Sequence, residues 1–156
     1  MLPHTLPETI AYSRLLASSF AQWVGTPMLD APAVTDEEFA RALFHAPFAL
    51  VSHGTQADPI FRYANQVALD LWEMDWDAFT KLPSRLSAQP LSDIQDERQQ
   101  LLQKALAAGF VHDYQGIRIS KHGRRFVIKD TTLWNVVDGA GVRHGQAALI
   151  RQYDYL

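Results

Sequence analysis

The chain has 156 residues, 47% hydrophobic and 20% charged, with a formal net charge of −3 and no cysteine. This length and balance describe one ordinary globular domain with enough chain for a core, not a disordered tail. The charge argues against an electrostatic grip on nucleic acid or an anionic membrane, and the missing cysteine excludes disulfides, thiolate catalysis, Cys-ligated zinc and iron–sulfur clusters.

The N-terminus, Met1-Leu2-Pro3-His4-Thr5, lacks the basic stretch and apolar core of a secretory leader. No apolar run approaches the roughly 20 residues that span a bilayer, so a cytoplasmic chain without membrane contact is expected. Thr5 and Glu8 have capping-box spacing and predict a first helix with Ile10, Leu16, Phe20, Trp23 and Val24 near one face, ended by Gly25 and Pro27. A proline-containing connector, Thr26 to Val34, leads to a second box at Thr35 and Glu38. The helix that follows has Phe39, Ala42, Leu43 and Ala46 as its stripe and stops at Pro47. Residues 1–34 read as a helical extension and 35–156 as the main domain. The two helices are expected to form a lid on the core, a surface for a second copy, or both.

Phe48-Ala49-Leu50-Val51 suits a buried strand; Gly54 and Asp58-Pro59 punctuate a turn, and Ile60-Phe61-Arg62-Tyr63 resumes an extended pattern. Asn65 is a suitable N-cap for a helix from Gln66 to Trp72, because its side-chain oxygen accepts an otherwise unpaired backbone N–H. A short helical turn over Asp75–Leu82 ends at Pro83, and an irregular loop follows to Pro90. Ser92 to Ala108 predicts the longest helix of this half, capped by Ser92 and stopped at Gly109, with Ile94, Leu101, Leu102, Ala105 and Leu106 on its face.

From Phe110 the apolar period becomes two. A parity slip at Gln115-Gly116 predicts a β-bulge, and Lys121-His122-Gly123-Arg124 a hairpin turn. Unbroken alternation then puts Phe126, Ile128, Thr132, Trp134 and Val136 on one face, with Val127, Lys129, Thr131, Leu133 and Asn135 on the other. A turn at Asp138–Gly141 leads to a last strand from about Arg143 to Tyr153. Two strands, a helical middle and three strands give an α+β fold: a five-stranded antiparallel sheet with helices on one face.

Several ordered blocks carry a resemblance. Ser52-His53-Gly54-Thr55-Gln56-Ala57-Asp58-Pro59, Tyr63-Ala64-Asn65, Leu82-Pro83-Ser84-Arg85-Leu86-Ser87-Ala88 and Gly116-Ile117-Arg118-Ile119-Ser120 are similar to the MEKHLA domain. So are Gly123-Arg124-Arg125-Phe126, Leu133-Trp134-Asn135 and Gly145-Gln146-Ala147-Ala148. This PAS-like family comprises small stand-alone bacterial proteins and the C-terminal domain of some plant homeodomain–leucine-zipper transcription factors. The resemblance spans roughly Phe39 to Tyr153; the Met-Glu-Lys-His-Leu-Ala string behind the family name does not occur here. It implies a PAS-like sensory or regulatory domain and supplies no catalytic residue and no named cofactor. Light-sensing PAS relatives attach flavin through a cysteine, which this chain lacks. Haem-binding relatives offer a histidine on the long helix before the last three strands, and Ser92–Ala108 has none. Non-covalent flavin or another small molecule remains open.

Tyr63, Asn65, Arg85, Tyr114, Trp134 and Gln146 are the candidate ligand-binding residues. Arg85 offers a bidentate fork for a carboxylate or phosphate, against a structural ion pair to Asp75 or Asp77. Trp134, Asn135, Tyr114 and Gln146 could wall a cavity, with at most one of Trp134 and Asn135 on the same pocket because they point to opposite faces of a regular strand, or Trp134 could fill the core. Arg62, Arg118, Arg124, Arg125 and Arg151 are expected along the open sheet face, paired across strands to Asp113 or Asp130. The six histidines show no i, i+2 or i, i+4 pair, so no metal site is expected; His53 should bond its own turn. No phosphate-cradling glycine loop, nucleophile elbow or dinucleotide fingerprint occurs, and no enzymatic activity is expected. The reading is a small-molecule sensor acting through an unidentified protein partner and dimeric through its N-terminal helices. A ligand-free interaction module and a small enzyme with a cone-shaped cavity are the alternatives.

Overall fold

A computed structural model describes residues 2–30 and 35–156; the end of the predicted connector, 31–34, lies outside them. Five strands form one antiparallel sheet in the order β2-β1-β5-β4-β3. They are β1 (Ala49–His53), β2 (Phe61–Ala64), β3 (Phe110–Ile119), β4 (Arg125–Val137) and β5 (Arg143–Tyr155). The helices are α1 (Pro7–Val24), α2 (Asp36–Phe44), α3 (Gln66–Trp72), α4 (Trp76–Phe79) and α5 (Ser92–Ala108), with 3-10 turns at Pro3–Thr5 and Ser84–Ser87. The last strand is central: β5 pairs with β1 through Val51 and Ala148, and with β4 through Trp134 and Ala147.

Local chemistry sets most of the boundaries. Thr35 accepts from Glu38 N at 3.1 Å, Asn65 from Ala68 N at 3.2 Å, and Asp75 from Ala78 N at 2.8 Å, which starts α2, α3 and α4. The first box does not form. Thr5 donates to Leu2 O inside the 3-10 turn, and α1 starts at Pro7, where a missing N–H costs nothing. Ser92 is likewise not a cap, since α5 begins after Leu91 with no side-chain bond.

Helices cover both faces of the sheet. On one lie α3, α4 and α5, with Val51, Phe61, Trp72, Phe79, Phe126, Ile128 and Ile150 in the core. Against the other, α1 and α2 bury Leu16, Phe20, Phe39 and Leu43 with Leu50, Tyr63, Trp134, Val136 and Leu149. The N-terminal helix is thus a lid on the chain's own core. Leu16 and Phe20 are fully buried, at about 1.5–3 kcal/mol each by side-chain transfer.

The expected alternation of β4 fails at one place. Asp130 is left-handed, with φ +46°, and β3 sets only Tyr114 and Gly116 against Thr131 and Ile128. The extra β4 residue switches parity, so Ile128 shares its face with Thr131 and Leu133, while Thr132, Trp134 and Val136 turn to α1. In β3 the pairing slips between Tyr114 and Gly116, where the sequence predicts a bulge, and again beside Asp113, at φ +56°.

Candidate functional site

Between α5 and the inner face of the sheet lies a cavity of about 50 Å³. By the measure of roughly 10–15 Å³ per enclosed water, it has room for about three to five water-sized bodies. Most of its wall is apolar: Val51, Phe61, Trp72, Leu101, Leu102, Ile128, Leu133 and Ile150. Eight polar residues interrupt that wall, namely Ser52, His53, Ser87, Arg98, Tyr114, Arg118, Thr131 and Gln146. His53, Arg98, Leu102 and Gln146 also line an outer groove of about 440 Å³ with Asp58, Arg85 and Arg143, so these four form the partition between interior and surface.

The two arginines stand out, each only 7% exposed. Arg98 donates to Ser84 Oγ at 2.8 Å. Arg118 donates to Ile117 O at 2.8 Å and Tyr114 Oη at 3.3 Å, its guanidinium 5.6 Å from the Tyr114 ring centre. Among the described residues neither makes an ion pair with a carboxylate. Burial, with Arg118 as a second cause, pushes Arg98 down to about 10, opposed by Tyr114 and Asp58, so it keeps its charge at neutral pH. The expectation that Arg118 lies on an open face, paired across strands, is corrected: the register slips in β3 and β4 turn it inward.

His53 is 6% exposed, and its Nδ1 lies 3.0 Å from Gly54 O, as the sequence predicts for its own turn. A carbonyl only accepts, so Nδ1 carries the proton and Nε2 is an acceptor. That buried Nε2 has no hydrogen-bond partner among the described residues. Burial holds the imidazole neutral and pushes it down to about 4, opposed by the Gly54 bond and aided by Arg98 and Arg143. Gln146 donates from Nε2 to Leu102 O and Asn135 Oδ1, both at 3.1 Å, tying β5 to α5 and β4. Asn135 in turn donates to Leu106 O at 3.2 Å, and its carbonyl accepts from Trp23 Nε1 at 2.9 Å, so the network reaches α1 behind the sheet.

Of the six sequence candidates, Tyr114 and Gln146 line the cavity together. Tyr63 and Trp134 lie on the α1 face. Trp134 meets Phe20 edge-on at 4.9 Å and donates to Ser19 Oγ at 3.1 Å; the Tyr63 hydroxyl faces Ser13 without a well-formed bond, and burial pushes its phenol up. Asn65 is wholly buried as a bracket. Its Oδ1 accepts from Leu50 N as well as Ala68 N, and its Nδ2 donates to Phe48 O at 2.8 Å. Arg85 is an exposed groove residue, its Nε 3.3 Å from Asp58 in place of the expected Asp75 or Asp77. Among the described residues no three His, Asp or Glu gather as metal ligands, and no helix is long and apolar enough to cross a membrane.

Arg98, the residue that sequence reasoning passed over, carries a usable signal. It lies four residues after Ile94 and three or four before Leu101 and Leu102, inside the apolar stripe of α5. A guanidinium at such a position is a buried cation, not a surface one.

Known folds and sequences match this arrangement. A PAS domain from Colwellia psychrerythraea superposes with a TM-score of 0.61 at 15% identity, covering 72% of this chain and 92% of that one. A light-oxygen-voltage domain studied with a flavin analogue gives 0.59 at 18% identity, covering 75% and 83%. At these identities the likeness is one of fold: the α+β PAS-like sheet. In sequence, homeobox-leucine zipper protein HOX29 of Oryza sativa, in both the indica and japonica subspecies, is 26% identical over 140 residues. That is 86% of this chain and 16% of HOX29, so the chain spans about a sixth of its curated relatives. The profile of the MEKHLA domain matches residues 10–155, from the second turn of α1 to the end of β5, and on that match the chain belongs to the MEKHLA domain family.

Proposed function

We propose that this domain senses a small molecule held between α5 and the sheet, and passes occupancy to a protein partner without chemistry of its own. The cavity carries the reading: an apolar interior lined also by eight polar residues, one of them, His53, with an acceptor unmatched among the described residues. Convergent polar groups in an apolar recess are the usual form of a ligand site, whereas a core built only for packing leaves few voids larger than a water molecule. At about 50 Å³, the cavity suits a compact ligand; a fused tricyclic flavin ring would need Leu101, Leu102 or Trp72 to move.

Transmission follows the bonds already described. A ligand against Gln146 competes for its amide and loosens the bonds to Leu102 and Asn135, and Asn135 is the point where α5 and α1 meet. The ligand shifts the equilibrium only as far as it prefers one arrangement of that network. The partner surface is then the outer face of α1 or α5, in a second copy of the chain or in another protein. Native mass spectrometry of freshly purified protein, with an absorbance scan and a denatured mass, tests the reading. A non-covalent adduct lost on denaturation supports it. A clean apo mass, with no melting shift across a metabolite panel, leaves a ligand-free interaction module.

A further inference from the structure

Resting on that reading of the cavity, we propose that its ligand is a short-chain organic acid whose carboxylate is held by Arg98 and Arg118. Both guanidiniums are 7% exposed, both line one cavity, and among the described residues neither has a carboxylate in ion-pair contact. Asp58 comes nearest in effect, and it is held at the surface by Arg85. Buried charge is costly unless paired, and two like charges on one cavity add mutual repulsion. An anion entering the cavity relieves both at once.

The hydrogen-bond inventory agrees. Arg98 gives one bond and Arg118 two, out of the five N–H groups each carries. The remaining donors offer a carboxylate the two parallel bonds a guanidinium makes best. Apart from Ser52, His53, Ser87, Tyr114, Thr131 and Gln146, the rest of the wall is aliphatic and aromatic, so the acid has an apolar body, and the volume restricts it to about three to six heavy atoms. Arg98 also lines the outer groove and stands at the partition, the place for a group that meets an incoming anion.

The experiment is a thermal-shift and calorimetric titration of the full chain with propionate and butyrate. Propionamide and butyramide serve as neutral counterparts, and inorganic phosphate and flavin mononucleotide are run alongside. Carboxylates are expected to raise the melting temperature in a concentration-dependent manner and the matched amides to have no effect. Arg98→Met and Arg118→Met should each weaken binding by about tenfold or more, the usual loss for a charge-assisted bond. Arg98→Lys, which keeps the charge and loses the fork, guards against a Met variant that fails to fold; it too should weaken binding. Leu101→Trp, which fills the cavity from α5, should abolish it. Binding of the amides or of the flavin in place of carboxylates, still blocked by Leu101→Trp, overturns the anion assignment and leaves the cavity reading standing. Stabilisation by phosphate and carboxylates alike, untouched by Leu101→Trp, places the anion in the outer groove and also overturns it. No binding of any probe, with Leu101→Trp merely more stable, defeats both.

Discussion

Acid should loosen this fold chiefly through one residue. His53 is buried on the cavity wall and held down to about 4, against 6.5 for the free side chain. Between those values the folded chain binds fewer protons at this site than the unfolded chain, so stability is full above pH 6.5 and is lost as pH falls towards 4. A depression of that size corresponds to about 3 kcal/mol when complete, and to about 2 kcal/mol already at pH 5. For a chain of this size, 2 kcal/mol lowers the melting temperature by about 4–8 °C. The groups facing His53 do not reverse the sign. Arg98 on α5 and Arg143 on β5 push the same way, and only the Gly54 carbonyl opposes. His4 is also depressed, by burial and then by His45 and Arg41, and it adds to the wild-type loss in the same window. Asp138, lowered by its bond to His144, acts only below its ordinary 3.8. The measurement is therefore a difference: urea unfolding at pH 7.5 and pH 5 for wild type and His53→Gln. The variant keeps the His4 contribution and should lose about 2 kcal/mol less on acidification. Equal losses in the two proteins would mean that His53 is hydrated or charged in the fold, and the burial argument would fail.

Three further outcomes follow from packing. A Cβ on Gly145 would be driven into the His53 backbone carbonyl of the neighbouring strand, which cannot rotate away, so Gly145→Ala should cost about 3 kcal/mol in chemical denaturation. Asn65→Ala removes a cap and leaves the buried Leu50 N–H unpaired, for a loss of about 3 kcal/mol in the same assay. Deleting residues 1–25 bares Leu50, Trp134, Val136 and Leu149 and should give aggregation and lost near-ultraviolet dichroism; a folded, native-like truncation would show that α1 is dispensable to the core.

The order of elements was legible because each boundary has a local cause: Thr35, Asn65 and Asp75 cap, Gly25 and Gly109 stop, and Gly123 turns, all within four residues of what they control. Which face each residue of β4 takes was not legible, because one left-handed residue, Asp130, resets every later position. Lys129-Asp130, two charged residues in succession in the middle of the strand, was the available hint. The same slip separates Trp134 from the cavity that Tyr114 and Gln146 share. The buried arginines escaped for another reason. Hydropathy assigns a guanidinium to water, and only the tertiary fold shows that Arg98 and Arg118 meet across one interior space.

That space has one wall built to move. α1 buries six of its 18 residues, whereas α5 buries two of 17, Arg98 and Ala105, so α5 sits on the sheet through little fixed packing. Its hold depends instead on polar ties: Gln146 to Leu102 O, Asn135 to Leu106 O, Arg98 to Ser84 and Gln95 to the loop carbonyls of Arg85 and Gln89. Such bonds contribute about 1 kcal/mol each and break singly, so α5 should open without the sheet. Amide hydrogen exchange should find α5 at least tenfold less protected than β4 and β5, and a cavity ligand should slow α5 more than any strand. Equal protection of α5 and β5 in the apo protein would make the helix part of the rigid core and remove the path by which occupancy reaches the surface.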